Sequence, residues 1–381
     1  MRICLVYDCL YPHTVGGAER WYRNLGERLA SAGHDVTYLT RRQWPEGTDP
    51  GVPGVRVLCV MGEAPLYTES GRRRIDEPLR FGLGVLRHLV RHGASYDVVH
   101  TAAFPYFSLL AAAFARRLRG FRLFVDWHEV WTRDYWIEYL GTARGWVGWL
   151  VQRRCLRVRQ RAFCFAQMTA RRCEAEGLRV PVTVLDGLYT GTHELRPVGE
   201  PNPLVMFAGR HIPEKRVPDL IPALVRARER LPELRAVIFG EGPERAEVVR
   251  LVHENGLDGV VELPGFVDGQ HIDDAMAHAL CMVLPSRREG YGMVVVEAAS
   301  WGTPSVVVAA PDNAATELVE DGVNGIVAAS TSPEDLAQAI IDVHERGLDL
   351  RHSTEDWFTR NAPRVALSRS ADRVSELYEE L

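Results

Sequence analysis

The chain has 381 residues, of which 46% are hydrophobic and 25% charged, with a formal net charge of −5. That balance is a soluble globular protein's, and the length suits two domains that each bury a core. No apolar run reaches the roughly 18 residues of a membrane span, and Met1 leads into Ile3–Tyr7 without a basic, then long apolar leader, so a cytoplasmic protein is expected. The seven cysteines are odd in number and show no CxxC spacing, which predicts neither a disulfide framework nor a zinc site. Charge is uneven: residues 1–195 hold 27 basic and 19 acidic side chains, whereas residues 196–381 hold 18 and 31. Of 45 basic residues, Lys215 is the sole lysine. A compact ammonium persisting among arginines suggests a place where a planar guanidinium would not serve.

Apolar strands alternate with helix-period segments along the first half. The predicted strands are Arg2–Asp8, Asp35–Thr40, Val55–Val60, Asp97–Ala102, Leu123–Asp126, Ala162–Ala166 and Thr183–Leu185, with helices such as Ala18–Ala32 and Phe107–Leu118 between them. Strands this apolar, alternating with helices, predict a parallel sheet covered on both faces. After a Pro-, Gly- and Glu-rich stretch at 190–203, the pattern restarts with Leu204–Ala208, Ala236–Phe239, Val260–Leu263, Leu280–Leu284 and Ser305–Val308. The reading is an α/β protein of two doubly wound domains, 1–195 and 196–354, with ligands at the carboxyl ends of the strands and a cleft between them. Residues 355–381 read as a C-terminal helix packing back across the linker.

Five segments carry the chemistry. Gly16-Gly17-Ala18-Glu19 joins the first strand to a helix, where backbone could approach an anion. In Gly209-Arg210-His211-Ile212-Pro213-Glu214-Lys215, two cations five apart, at a strand end and a helix start, suit a departing diphosphate. Gly240-Glu241-Gly242-Pro243 is a tight turn, and Pro264-Gly265-Phe266-Val267 follows a strand where backbone groups could read a nucleobase edge. The most informative segment is Ser286 to Glu297, in which Gly290 and Gly292 free the backbone and two carboxylates, Glu289 and Glu297, flank it. Groups that only accept hydrogen bonds suit sugar hydroxyls rather than phosphate.

Taken together and in this order, the GGAE turn, the GRxxxxK pair, the GEGP turn, PGFV and EGYGMVVVE resemble the retaining GT-B glycosyltransferases of family four, across nearly the whole chain. The resemblance implies two Rossmann-like domains facing a cleft and a retaining, metal-independent transfer from a nucleotide diphosphate sugar, most readily a UDP-sugar, onto an acceptor hydroxyl. It implies no separate cofactor. Arg210 and Lys215 would hold the diphosphate, Glu289 the donor-sugar hydroxyls and Glu297 the ribose. Backbone at Gly290, Tyr291, Gly292 and Met293 would meet sugar and phosphate, that at Phe266 and Val267 the base, with Gly240 nearby. Gly16 and Gly17 would close on the diphosphate, and His128, in Trp127-His128-Glu129, would face the donor sugar. The chain departs from the family at Asp186, Tyr291 and Arg216, where asparagine, phenylalanine and glycine are commoner. A sugar phosphorylase, an epimerase or a non-catalytic nucleotide-sugar-binding protein shares the fold.

Two features concern the acceptor, a small molecule or a lipid-linked glycan. Residues 127–149 hold five of the nine tryptophans, as core or as a stacking platform. Residues 140–173 hold eight arginines and no acid, as a solvated helix face or as a peripheral contact with the inner face of a membrane. Nothing resembles a nucleic-acid module.

Overall fold

The computed structural model describes residues 1–63, 76–191 and 199–380, and divides the chain into two compact units. The first comprises Met1–Leu188 and Leu367–Leu381, the second Tyr189–Ala366.

In the first unit the elements follow one another as β1 (Arg2–Val6), α1 (Gly17–Ser31), β2 (Asp35–Arg41), β3 (Val55–Met61), α2 (Asp76–His92), β4 (Val98–Ala102) and α3 (Tyr106–Arg119). They continue as β5 (Arg122–Trp127), α4 (Arg133–Leu140), α5 (Thr142–Leu156), β6 (Arg161–Cys164), α6 (Gln167–Ala175) and β7 (Val182–Val184). The sheet is parallel in the order β3-β2-β1-β4-β5-β6-β7. β1 sits at the reversal of order, with Ile3 paired to Val36 on one side and Val98 on the other. In such sheets the strand ends beside that reversal open the ligand-binding crevice. The strands are central because they are apolar on both faces: Ile3 to Val6 are fully buried. Helix α1 turns Trp21, Tyr22, Leu25 and Leu29 inward at three- and four-residue spacing.

The second unit repeats the plan. Its elements are β8 (Leu204–Ala208), α7 (Leu220–Arg228), β9 (Arg235–Phe239), α8 (Arg245–Glu254), β10 (Val261–Gly265), α9 (Gly269–His278) and β11 (Cys281–Leu284). They run on through β12 (Arg288–Glu289), α10 (Met293–Ala299), β13 (Ser305–Val308), β14 (Asp312–Asn313), β15 (Gly325–Ala328) and α11 (Pro333–Val365). The parallel order is β10-β9-β8-β11-β13-β15, and β12 pairs with β14 apart from it. The sequence reading missed β15, β12 and β14, each of four residues or fewer.

Two differences concern the joints between the units. The division falls after Leu188, where the sequence reading set it after residue 195; residues 192–198 lie outside the described residues. Tyr189 donates its N–H to the Val365 carbonyl at 2.9 Å and bridges Ala366, so the two connections run side by side. The stretch 355–381, read as one helix, is broken: Ala366 is extended (φ −66°, ψ 131°), and α12 (Leu367–Glu379) begins after it. Its residues group with the first unit. Gly347, at φ 48° and ψ −128°, also bends α11.

Candidate active site

In the second unit the loops after β8, β9 and β10 lie side by side. Gly209 donates its N–H to the Phe239 carbonyl (3.3 Å), Gly240 to the Gly265 carbonyl (2.8 Å) and His211 to the Glu241 carbonyl (2.8 Å). Gly240 holds φ 111°, and a β-carbon there would strike the Gly209 carbonyl, so only glycine lets the strand ends close this tightly. Arg210 leaves β8 exposed to solvent, and Phe266, just past β10, is 69% exposed. Lys215 ends a short 3₁₀ turn, Pro213–Lys215. The expectation that it opens a helix is corrected: α7 starts only at Leu220, because Arg216 takes the left-handed conformation (φ 55°, ψ 33°). Glycine would adopt that geometry at no steric penalty; for arginine it costs about 1–3 kcal/mol. The Arg216 guanidinium is tied to Asp219 at 2.7 Å.

Glu289 is the centre of this unit's polar network. It is buried, and its Oε1 pairs with the Lys215 ammonium and accepts from the Ser286 hydroxyl at 2.8 Å. The strand pairing of β12 with β14 aligns Glu289 with Asn313, and Arg288 reaches Asp312 at 2.6 Å. Asn313 itself is buried: its amide donates to the carbonyls of Ser286 (3.0 Å) and Val308 (2.9 Å) and accepts from the Ala315 N–H (3.1 Å). Ala315 in turn packs where a β-carbon on Gly292 would lie, 2.6 Å away, and Gly292 holds φ 97° as it starts α10. Tyr291 is buried beside it, whereas Gly290, Met293 and Glu297 are half-buried, Glu297 one turn into the helix. Lys215 and Glu289, 74 residues apart, are therefore in direct contact, on a seat built by Ser286, Asn313 and Asp312. Sequence reasoning missed that seat: Asn313 stands far from the glycine segment in an unremarkable run.

In the first unit Gly16 caps α1 in an extended conformation, with Gly17 the first helical residue. A β-carbon on Gly16 would meet the Glu19 carboxylate, so the helix start that the sequence offers to an anion has the chain's own carboxylate beside it. His128 follows β5. Its ring stacks on Phe165 at 4.7 Å with 3° between planes, and its Nε2 is sealed from solvent without a hydrogen-bond partner. Burial lowers its pKa to about 4, against the opposing pull of Asp126. Asp126 is fully buried; burial pushes its pKa up, but His100, His128 and Trp21 outweigh that and hold it below the usual value.

The tryptophans divide. Trp127 and Trp136 are core, donating to Gln160 (3.0 Å) and Gln152 (3.2 Å), while Trp146 on α5 is 40% exposed with Arg133 over its ring. Beside Trp146, Val147 and Leu150 are 61% and 55% exposed. Among the described residues, no helix is long and apolar enough to cross a membrane, and no group of three His, Cys, Asp or Glu side chains could hold a metal ion.

Comparison with known proteins bears on both units. The glycosyl transferase 4-like domain matches residues 16–187, and glycosyl transferases group 1 matches residues 194–357. The chain belongs to the group 1 glycosyltransferases, enzymes that act on nucleotide sugars, and its fold is GT-B. It is 28% identical over 372 residues to the MMP alpha-(1->4)-mannosyltransferase of Mycolicibacterium hassiacum, covering 88% of this chain and 87% of that one. It is 31% identical over 183 residues to the alpha-D-kanosaminyltransferase of Streptomyces kanamyceticus, a match that spans 47% of this chain and 46% of that enzyme. Among solved structures, Anabaena Alr3699/HepE in complex with UDP and glucose superposes with a TM-score of 0.78 at 19% identity, over 100% of both chains.

A prediction follows for His128. Its folded-state pKa of about 4 lies below the ordinary 6.5. Between those values the unfolded chain binds a proton that the folded chain refuses, so stability falls as pH drops through the window. The full effect is about 3 kcal/mol at most. In urea unfolding at stepped pH, the wild type should lose more stability between pH 6.5 and 4.5 than His128→Phe does; parallel losses would contradict this.

Proposed function

We propose that the chain transfers a sugar from a UDP-sugar to an acceptor hydroxyl with retention, forming an α-glycosidic bond without a metal. The observation that carries this reading is the buried Glu289 held by the sole lysine and by Ser286, beside a backbone freed at Gly290 and Gly292. In the reaction, the bond between the anomeric carbon and the diphosphate oxygen breaks as the acceptor oxygen bonds to the same face. The acceptor proton passes to the departing phosphate oxygen. Lys215 and Arg210 offset the charge that grows on the leaving diphosphate, which two fixed cations do without reorganising. Glu289 accepts from donor-sugar hydroxyls, Glu297 from the ribose, and His128 meets the donor sugar.

Several features support the parts. The two enzymes compared by sequence carry alpha in their names, in keeping with an α-linked product, and UDP is bound in the HepE structure. Retention by a double displacement would need a carboxylate nucleophile, and Glu289 is already engaged by Lys215 and Ser286. Lys215→Ala and Glu289→Ala should each lower kcat at least about a hundredfold in a transfer assay, with the fold checked by circular dichroism. Near-normal turnover in both would sink the site.

The acceptor side of the proposal is a lipid-linked glycan reached by peripheral contact with an anionic membrane through 140–173. Helices α3 and α5 carry six arginines and no acid, and Trp146, Val147 and Leu150 project from α5 among those charges. Apolar side chains ringed by cations suit an anionic headgroup layer. Sedimentation with phosphatidylglycerol vesicles should carry the protein down, less so at high salt, and Leu150→Glu with Arg153→Glu should release it. Recovery in the supernatant with anionic and neutral vesicles alike would refute the contact.

A further inference from the structure

Under the end of β5 runs a chain of buried polar groups to which the transfer chemistry gives no task. Asp126 and His100 are fully buried. Asp126 accepts from His100 Nε2 at 2.8 Å through one oxygen and from Trp21 Nε1 at 2.7 Å through the other. His100 Nδ1 lies 2.5 Å from the Tyr378 hydroxyl, which α12 brings in from the far end of the chain. An ionised carboxylate only accepts, so the Nε2 position carries a proton; in the neutral ring Nδ1 then accepts from Tyr378. Donors run from Tyr378 to His100 to Asp126.

A charge in this position is not what packing alone requires. An apolar side chain of similar size would fill the space without desolvating a carboxylate, and buried ionic groups are on average poor stabilisers. What distinguishes the position is its neighbour. Asp126 lies two residues before His128, and its charge acts on that ring. Tyr22 of α1 touches both parts of the cluster, its ring 5.9 Å from His100 and 6.3 Å from His128. The ionisable groups facing His128 are Asp126 at the end of β5, His100 on β4 and Tyr22 on α1. In a dry interior a nearby fixed negative charge acts strongly on an imidazole.

We propose that Asp126, held by His100, Trp21 and Tyr378, is a positioning residue for sugar transfer that acts through His128 by polarising its ring, and that the C-terminal helix keeps it in place. The proposal rests on the reading of His128 as the group that meets the donor sugar. It gives α12 a part in catalysis although no residue of that helix need touch substrate.

The test uses the full chain and four variants: Tyr378→Phe, Asp126→Asn, His128→Ala and the double variant His128→Ala with Tyr378→Phe. Tyr378→Phe removes one hydroxyl and keeps the ring, so it leaves the fold measurable even if Asp126→Asn does not. Its kcat should fall about tenfold, short of the hundredfold that misplacing a reacting group can cost, with the donor KM unchanged. In the His128→Ala background the same substitution should cost nothing further, because its effect is routed through the lost ring. In Asp126→Asn, the His128 ring should titrate at lower pH by nitrogen NMR, since the neighbouring negative charge is gone. An equal loss in both backgrounds, no loss at all, or an unmoved His128 titration would overturn the proposal. Unchanged kcat in His128→Ala alone would instead remove the reading of His128 on which it rests.

Discussion

A carboxylate buried away from water needs a cation and hydrogen bonds to remain charged, and Glu289 receives both from parts of the chain that have no local reason to meet. The Lys215 ammonium arrives from the turn after β8, and the Ser286 hydroxyl from the turn after β11. For that contact to form, the strand ends of the second unit must draw together, which Gly240 permits by carrying no side chain against Gly209. The short β12–β14 pairing must also hold Glu289 in register. Removing either charge would strand the other, which is the expensive way to break a buried pair. In the proposed reading, this fixed pair is what meets the leaving diphosphate and the sugar.

The first unit sets a second charge by different means. Among the described residues, Asp126 is held by an imidazole and an indole, with a tyrosine behind them, and by no lysine or arginine. These hydrogen bonds satisfy the carboxylate while leaving it close to His128, on which its charge acts. The C-terminal helix supplies the tyrosine, which makes chain order and spatial order disagree: the last helix belongs to the first unit.

Much of this was legible in the sequence because it is local. Long apolar runs gave the parallel strands their positions, and the restart after 190–203 marked two units. Lys215 stood out as the one ammonium among guanidinia, and Glu289 by its place beside two glycines. What escaped was either short or distant. The strand pairs of β12, β14 and β15 are too brief to show a period, and Asn313, which organises the Glu289 seat, carries no motif. His100 and Tyr378 lie 278 residues apart, and an isolated histidine in an apolar strand reads as ordinary core. The break at Ala366 escaped as well, because the sequence around it keeps helical periodicity while the chain bonds back to Tyr189.

The most direct measurement is calorimetric titration of UDP and a panel of UDP-sugars into the wild type and Lys215→Ala, with no metal added. UDP and one UDP-sugar should bind the wild type selectively, and Lys215→Ala should bind both at least about tenfold more weakly, as losing a charge-assisted diphosphate contact requires. Equal affinity in the two proteins, or no uridine nucleotide bound by either, would contradict the assignment of the Lys215–Glu289 pair to the donor.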